Sequence, residues 1–220
     1  MIKKINQVFE QRFGRASLWV KSPGRVNLIG EHTDYNDGFV FPAAIDKAIY
    51  FAMATNSKQK FRFYAYDFQE YFELDTDKLG ITGTAWANYL LGVYAQFKKA
   101  GYHLEGVDCV FGGDIPMGAG LSSSAAIENG FALALNKIFD TKIGKLDMVK
   151  LAQKAEHEYA GVQCGIMDQF AIMYGKKDHA LKLDTRSLDF DYANIGLKDY
   201  DLVLCDTRVK HELASSEYNT

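Results

Sequence analysis

A glycine- and serine-rich segment between a predicted strand and the clearest predicted helix constrains the fold most. The strand covers residues 107–111, and the segment PMGAGLSSSAA follows it at residues 116–126. The helix covers residues 122–139, and one face of it is apolar, formed by Ile127, Phe131, Ala134, Leu135 and Ile138. Because strands dominate the first third of the chain and mixed elements follow, we predict an α+β or α/β layered fold and not a sandwich.

The spacing of apolar residues predicts the remaining elements. Helical spacing indicates three further helices, at residues 5–13, 84–99 and 145–159. Strand patterns occur at residues 18–20, 39–55, 61–66, 71–74, 180–183 and 201–205. The last 25 residues resemble the opening of a second domain, so the sequence predicts one domain over residues 1–195 and the start of another over 196–220.

Charge and cysteine content exclude several classes of function. The 25 basic and 28 acidic residues are mixed along the chain, so a small molecule is a better partner than nucleic acid. Three widely spaced cysteines form neither a disulfide framework nor a CxxC metal pair, which suits a reducing compartment. No signal-peptide pattern and no run of about 18 apolar residues is present. We therefore expect a cytoplasmic protein that does not enter a membrane.

The glycine- and serine-rich segment has the chemistry of an anion site. Glycines let backbone amides approach an anion closely, and the N-terminus of a helix adds unpaired N–H donors. Three consecutive serines add hydroxyls for phosphate oxygens or Mg²⁺. The segment lacks the Lys-Ser/Thr ending of a Walker A loop and the glycine spacing of a dinucleotide fingerprint. Taken alone, it fits an ordinary serine N-cap after a glycine-rich turn equally well.

A polar segment at residues 23–36 follows the first predicted strand. Arg25 is a planar cation with several donors, suited to a phosphate or a carboxylate. Glu31, His32 and Asp34 supply the acceptors that would orient sugar hydroxyls, although His32 alone is more typical of a structural histidine. A metal at a His-X-Asp pair is the other possibility, but the softer ligands that zinc favours are absent nearby.

Two acidic residues further along the chain are candidates for chemistry. Glu156 shares the inward face of its predicted helix with Val149 and Ala152, so it needs a cation or hydrogen bonds and suits Mg²⁺. Asp168 lies among apolar residues and, judged alone, fits a helix N-cap better than a catalytic group. Cys164 has no obvious base, which excludes a cysteine nucleophile.

Four motifs together resemble one family. In order, GRVNLIGEHTDYN, GAGLSSSAA, CGIMDQF and DTRVKHELASSEYN are similar to those of the galactokinases, which are GHMP small-molecule kinases. The serine-rich loop marks the superfamily, and residues 24–36 separate galactokinases from mevalonate or homoserine kinases. The resemblance covers about residues 17–220. It implies an α+β fold, with the mixed sheet and helices of the N-terminal GHMP domain and the start of a C-terminal α+β domain.

The resemblance also implies roles for individual residues. Asp168 would be the catalytic aspartate and Arg25 the arginine that stabilises the transition state, with ATP as co-substrate. Galactose would be contacted by Glu31, His32, Asp34 and Tyr218. The ATP phosphates would be bound by Gly118, Ala119, Gly120, Leu121, Ser122, Ser123 and Ser124. Mg²⁺ would be held by Ser124 and Glu156, and the full-length enzyme would be a monomer.

Two other functions remain open from the sequence. The first is a kinase for a related sugar, such as N-acetylgalactosamine, arabinose or a uronic acid. The second is a non-catalytic sensor of galactose and ATP, against which the intact Arg25, Asp168 and Ser124 argue. The family's third glycine-rich motif is absent from these 220 residues. We therefore expect the chain by itself to show little or no kinase activity.

Overall fold

The structure, a computed structural model, describes residues 1–116, 118–197 and 202–205. Tyr218, and with it most of the predicted second domain, lies outside the described residues. The proposed domain boundary therefore stays a prediction. In the part of the chain that is described, no helix is long and apolar enough to cross a membrane.

Two sheets and five α-helices form the described fold. The strands are β1 Leu18–Asn27, β2 Phe39–Val40, β3 Pro42–Asn56, β4 Lys60–Ala65, β5 Glu70–Asp75, β6 Gly106–Gly113, β7 His179–Asp184 and β8 Phe190–Asn194. The helices are α1 Ile2–Phe13, α2 Ala85–Lys99, α3 Ser123–Ile138, α4 Lys145–Ala155 and α5 Met167–Tyr174. Short 3₁₀ and π-helical turns occupy Thr76–Lys78 and Glu156–Ala160.

The larger sheet is mixed and has the strand order β1-β3-β6-β4-β5. All neighbouring pairs are antiparallel except β4 and β6, which are parallel. The smaller sheet is antiparallel, with the order β2-β7-β8. A mixed sheet layered with helices confirms the α+β fold.

Helices cover the larger sheet on both faces. On one face α2 and α3 pack over the sheet and enclose the main core, which includes the fully buried Phe51, Phe63 and Phe131. On the other face Ile5 and Phe9 of α1 cover the sheet. A separate apolar cluster joins α4 and α5 to the smaller sheet. Helix α3 therefore lies in the interior, with its N-terminus at the glycine- and serine-rich segment.

Several sequence predictions of local structure were wrong in extent. The first strand does not end at residue 20, but continues through Pro23 and Gly24 with a register shift before Arg25. The helix predicted to reach residue 159 changes to a π-helical turn at Glu156. Residues 202–205 have no regular secondary structure, and β8 was not predicted. Asp168 is not an N-cap, because it is the second residue of α5.

Candidate active site

An arginine–aspartate pair lies where β1, α3 and α5 meet. Arg25 near the end of β1 donates from Nε to Asp168 Oδ1 at 2.6 Å and from Nη2 to Asp168 Oδ2 at 2.7 Å. Its third nitrogen, Nη1, donates to the carbonyl oxygen of Gly120 at 2.5 Å. The guanidinium therefore joins the carboxylate to the glycine- and serine-rich loop through a two-bond fork.

The loop is held against β1 by its backbone. The amide of Arg25 donates to the carbonyl oxygen of Leu121 at 3.2 Å, and Leu121 itself is buried. Gly24 permits this contact, because a Cβ there would lie 2.9 Å from the same oxygen. Gly118 and Gly120 adopt φ of +73° and +68°, values that glycine tolerates without strain. The loop therefore delivers the first amides of α3 to a fixed position.

Ser122 connects this loop to the aspartate. It precedes α3 in a left-handed conformation with φ +56°, and its side chain makes no capping hydrogen bond. Its hydroxyl instead donates to Asp168 Oδ2. The alternative of an ordinary serine N-cap is therefore wrong for Ser122. The N–H groups at the start of α3 are left to bind an anion.

The loop after β1 holds the predicted sugar-binding side chains. Asp34 packs against Gly165, where a Cβ would lie 2.9 Å from Asp34 Oδ1. Burial, together with the nearby charge of Asp168, raises the pKa of Asp34. Glu31 is exposed and accepts a hydrogen bond from Asn27 Nδ2 at 2.8 Å. Asp34 is thus close to the arginine–aspartate pair.

His32 belongs to the same loop and is exposed. Its backbone has φ +61°, and its Nδ1 is 2.5 Å from the hydroxyl of Tyr35. Its carbonyl oxygen accepts a hydrogen bond from Asn36 Nδ2 at 2.8 Å. His32 therefore lies in a hydrogen-bonded turn, and its contact with sugar stays a prediction.

Glu156 lies at the start of the π-helical turn, with only 4% of its surface exposed. It accepts hydrogen bonds from Gln169 Nε2 at 2.7 Å and from Cys164 Sγ at 3.3 Å. The hydroxyl of Ser124 also bonds to it, while burial raises the pKa of Glu156. The two residues predicted to hold Mg²⁺ are therefore in contact.

The oxygen atoms of Ser124 and Glu156 are suitable ligands for Mg²⁺. A carboxylate and a hydroxyl are the hard oxygen ligands that Mg²⁺ prefers. Within the described residues no group of three or more His, Cys, Asp or Glu side chains could hold a metal ion. That is compatible with Mg²⁺, which usually takes one or two protein ligands and completes its shell with substrate phosphates and water.

Comparisons with known proteins point to one family. A family profile described as the galactokinase galactose-binding signature matches residues 7–55, and the GHMP kinases N terminal domain matches residues 88–176. Thermosipho africanus galactokinase is 48% identical over 91% of this chain. The chain belongs to the galactokinase family of the GHMP kinases.

Relatives of this galactokinase-family chain are longer than it is. Bacillus subtilis galactokinase is 42% identical over the whole chain, which covers 58% of that protein, and the Thermosipho match covers 55%. The chain thus spans about half the length of the curated relatives it matches. The crystal structure of Lactococcus lactis galactokinase complexed with galactose has a TM-score of 0.86 and 36% identity, over 90% of this chain and 53% of that one. Mevalonate kinase from Methanococcus jannaschii, at 20% identity and a TM-score of 0.67, shares the fold.

The sequence did not predict a cavity that lies beside Ser123 and Ser124. It has a volume of about 210 Å³, and its walls are aromatic and aliphatic, including Phe68, Trp86, Tyr89 and Ile127 next to Ser123 and Ser124. Pockets for whole drug-sized ligands have about 300–1,000 Å³, so this one suits a single ring system. The spacing of Trp86 and Tyr89, three residues apart on α2, was the available signal, but core packing gives the same pattern.

Two further buried polar residues were also missed. Glu128 on α3 is fully buried, and its pKa is raised well above the usual range by burial and by Glu156. Gln169, which follows Asp168, donates to both Glu156 and Glu128. A glutamate inside the apolar run of α3 was the signal for the first. Nothing local indicated the second.

Proposed function

We propose that this chain carries the sugar- and phosphate-binding part of a galactokinase, which transfers the γ-phosphoryl group of ATP to the anomeric hydroxyl of galactose. The observation that carries the proposal is Asp168, a carboxylate held by Arg25 and Ser122 beside the glycine- and serine-rich loop. Transfer of a phosphoryl group to a hydroxyl requires a base within hydrogen-bonding distance of that hydroxyl and a phosphate site next to it.

Galactose would lie between Asp168 and the loop after β1. Asp34 and Glu31 would accept hydrogen bonds from its hydroxyls, with His32 and Tyr218 as further contacts carried over from the family. Asp168 would take the proton of the anomeric hydroxyl as that oxygen attacks the γ-phosphorus. Arg25, bonded to both Asp168 and Gly120, would offset negative charge on the phosphoryl group in transit.

ATP would bind along the loop and into the neighbouring cavity. Residues 118–124 would bind its phosphates through backbone amides and serine hydroxyls. The cavity beside Trp86 and Tyr89 is also lined by Ser123 and Ser124 of this loop, so it would take the nucleotide base. Ser124 and Glu156 would hold Mg²⁺, which when bound neutralises charge on the β- and γ-phosphate oxygens.

A sugar panel tests the proposed substrate. The complete protein that contains these residues is assayed for ATP-dependent ADP release with galactose, glucose, N-acetylgalactosamine and arabinose. We expect galactose to be turned over fastest. A rate with galactose no higher than that with glucose would refute the substrate, and release with another sugar alone would reassign it.

Asp168→Asn separates a kinase from a sensor. The substitution keeps the shape of the side chain but removes its basicity, so turnover should disappear while ATP and galactose still bind. Calorimetric binding of both ligands is the control. Near-normal turnover in the variant would contradict the role of Asp168, and binding without turnover in the parent protein would identify a sensor.

A further inference from the structure

Gln169 connects the two proposed catalytic groups through the protein interior. It is fully buried, and it follows Asp168 directly in α5. Its side-chain Nε2 donates to Glu156 Oε2 at 2.7 Å and, over a longer 3.4 Å, to Glu128 Oε2. One side chain thus joins the residue next to the proposed base with the proposed metal ligand.

The backbone of the same residue is fixed to α3. Asn129 Nδ2 donates to the carbonyl oxygen of Gln169 at 2.9 Å. Because α3 begins at the phosphate loop, this bond ties the start of α5 to the helix that presents that loop. Residue 169 is therefore held at both its backbone and its side chain.

The carboxylate of Glu156 has other bonding partners besides Gln169. Cys164 Sγ donates to it at 3.3 Å, and the side chain of Glu128 also bonds to it. Gln169 Nε2 lies nearer than the thiol, at 2.7 Å, so its bond contributes to fixing the rotamer of Glu156. Ser124 bonds to the same carboxylate from the loop side, where the metal would bind.

We propose that Gln169 is a positioning residue that orients Glu156 toward Ser124 and so presets the Mg²⁺ site. The inference rests on the proposed function, because it requires Mg²⁺ at Ser124 and Glu156. Residues that hold a metal ligand from behind change metal affinity without touching the metal, commonly by about 10- to 100-fold.

Gln169→Met in the complete protein tests this. Methionine keeps the length and volume of the side chain but removes its donor. The readout is Mn²⁺ binding in the presence of a non-hydrolysable ATP analogue, followed by electron paramagnetic resonance. We expect the affinity for Mn²⁺ to fall by about 10- to 100-fold, with galactose binding unchanged.

Gln153→Met is the matched control. Gln153 also donates into this region, to the carbonyl oxygen of Cys164 at 3.1 Å, but its bond is to the backbone and not to Glu156. Its removal should leave the affinity for Mn²⁺ within about twofold of the parent value, less than the effect expected for a residue behind a metal ligand. An equal loss in both variants would mean that the region is only loosened, which would overturn the proposal.

Glu156→Gln distinguishes a failure of the proposed metal site from a failure of the proposed positioning role. If Glu156→Gln leaves Mn²⁺ affinity unchanged, the proposed metal site is wrong. If Glu156→Gln weakens Mn²⁺ binding but Gln169→Met does not, the metal site stands and the positioning role is wrong. If Gln169→Met does not unfold cooperatively, Gln169→Asn replaces it as the test. Asparagine keeps the amide but is one methylene shorter, so its donor no longer reaches Glu156, and we expect the same loss of Mn²⁺ affinity.

Discussion

Arg25 makes three hydrogen bonds whose directions match the planar guanidinium. Two go to the oxygens of Asp168 and one goes to the carbonyl oxygen of Gly120. A lysine ammonium at this position is a point charge on a flexible stem, so it cannot make the fork and reach the loop at once. Both the orientation of Asp168 and the position of the loop therefore depend on arginine.

Arg25→Lys should reduce kcat by about 10³-fold, the lower end of what an arginine at a transferring phosphoryl group contributes. Steady-state kinetics of the complete protein measure this. The control is Arg62→Lys, since Arg62 makes the same fork with Asp108 inside the sheet, with Nε 2.7 Å from Oδ1. Arg62→Lys should lower the melting temperature and leave kcat of the folded protein unchanged. Similar kcat losses in both would show that the effect of Arg25 is on stability.

The absence of a side chain at Gly165 leaves the space that the carboxylate of Asp34 occupies. A Cβ at residue 165 would overlap the carboxylate of Asp34, so Gly165→Ala should displace Asp34 from the proposed sugar site. We expect KM for galactose to rise by about tenfold, on the scale of one lost hydrogen bond to a charged group, with KM for ATP unchanged. Gly144→Ala is the control, because its Cβ would be 3.5 Å from Asp147, an ordinary contact. An unchanged galactose KM in Gly165→Ala would remove Asp34 from the sugar site.

Asp34 also links stability to pH. Burial and the charge of Asp168 raise its pKa above the unfolded value of about 4, so the folded state keeps this proton to higher pH than the unfolded state does. The resulting stabilisation is present below pH 4 and is lost as the pH rises through the folded-state pKa. Asp34→Asn should therefore gain stability relative to the parent as the pH is raised from 4 to 7. Denaturant unfolding at several pH values measures the difference, and a constant difference would contradict this.

Local sequence explains some site residues and not others. The inward helical position of Glu156 predicted a Mg²⁺ ligand, while only the family resemblance paired it with Ser124, with which it is in contact. Asp168 was recognised only through the family resemblance, because its own neighbours favoured an N-cap. Gln169 was not found, since its bonds join residues 13 and 40 positions away in the chain. Contacts of this range depend on how α3, α5 and the π-helical turn pack, which no local pattern contains.

At the scale of elements, α3 packs closely against the larger sheet at Gly130. Gly130 faces β1 and β3, where a Cβ would lie 2.8 Å from Ser22 Cβ and 2.9 Å from Phe51 Cζ. Glycine weakens a helix by about 1 kcal/mol relative to alanine, so packing must favour it here. The position of α3, and with it that of the glycine- and serine-rich loop, therefore depends on the absence of a side chain at residue 130.

Gly130→Ala should destabilise the protein even though alanine is the better helix former. Overpacking costs about 1–3 kcal/mol, which equals or exceeds the gain in helix propensity. For a domain of this size each kcal/mol lowers the melting temperature by about 2–4 °C. Gly80→Ala serves as the control, since its nearest atom would be 3.9 Å away. Scanning calorimetry compares the two, and a rise in the melting temperature of Gly130→Ala would contradict the close packing.

The elements that the sequence predicted poorly have physical reasons in common. Pro23 and Gly24 are typical of a turn, yet they lie in β1 because its ladder with β3 resumes after a register shift. The π-helical turn at Glu156–Ala160 continues the apolar pattern of α4, so its extra residue per turn is invisible to helical spacing. Helices α2 and α3 were predicted almost to the residue, because long apolar stripes carry the strongest periodic signal.

At the scale of the whole molecule, these residues leave apolar surface uncovered. Leu202, Val203 and Leu204 follow the smaller sheet, and Val203 is 77% exposed. Ile29 and Phe39, near the proposed sugar site, are also largely exposed. Exposed apolar side chains of this kind favour association with another surface. The relatives in the galactokinase family are nearly twice as long as this chain.

We expect the 220 residues by themselves to show little or no kinase activity. They contain Arg25, Asp168, the loop and Glu156, so the chemical groups are present. Positioning and electrostatic preorganisation supply nearly all of the catalysis of phosphoryl transfer, and this chain covers only 55–58% of the galactokinases that it matches. Turnover should therefore be lower by orders of magnitude than that of a full-length relative such as Bacillus subtilis galactokinase at matched concentration. Sedimentation should also show concentration-dependent association. Comparable rates would mean that these residues alone form a closed site.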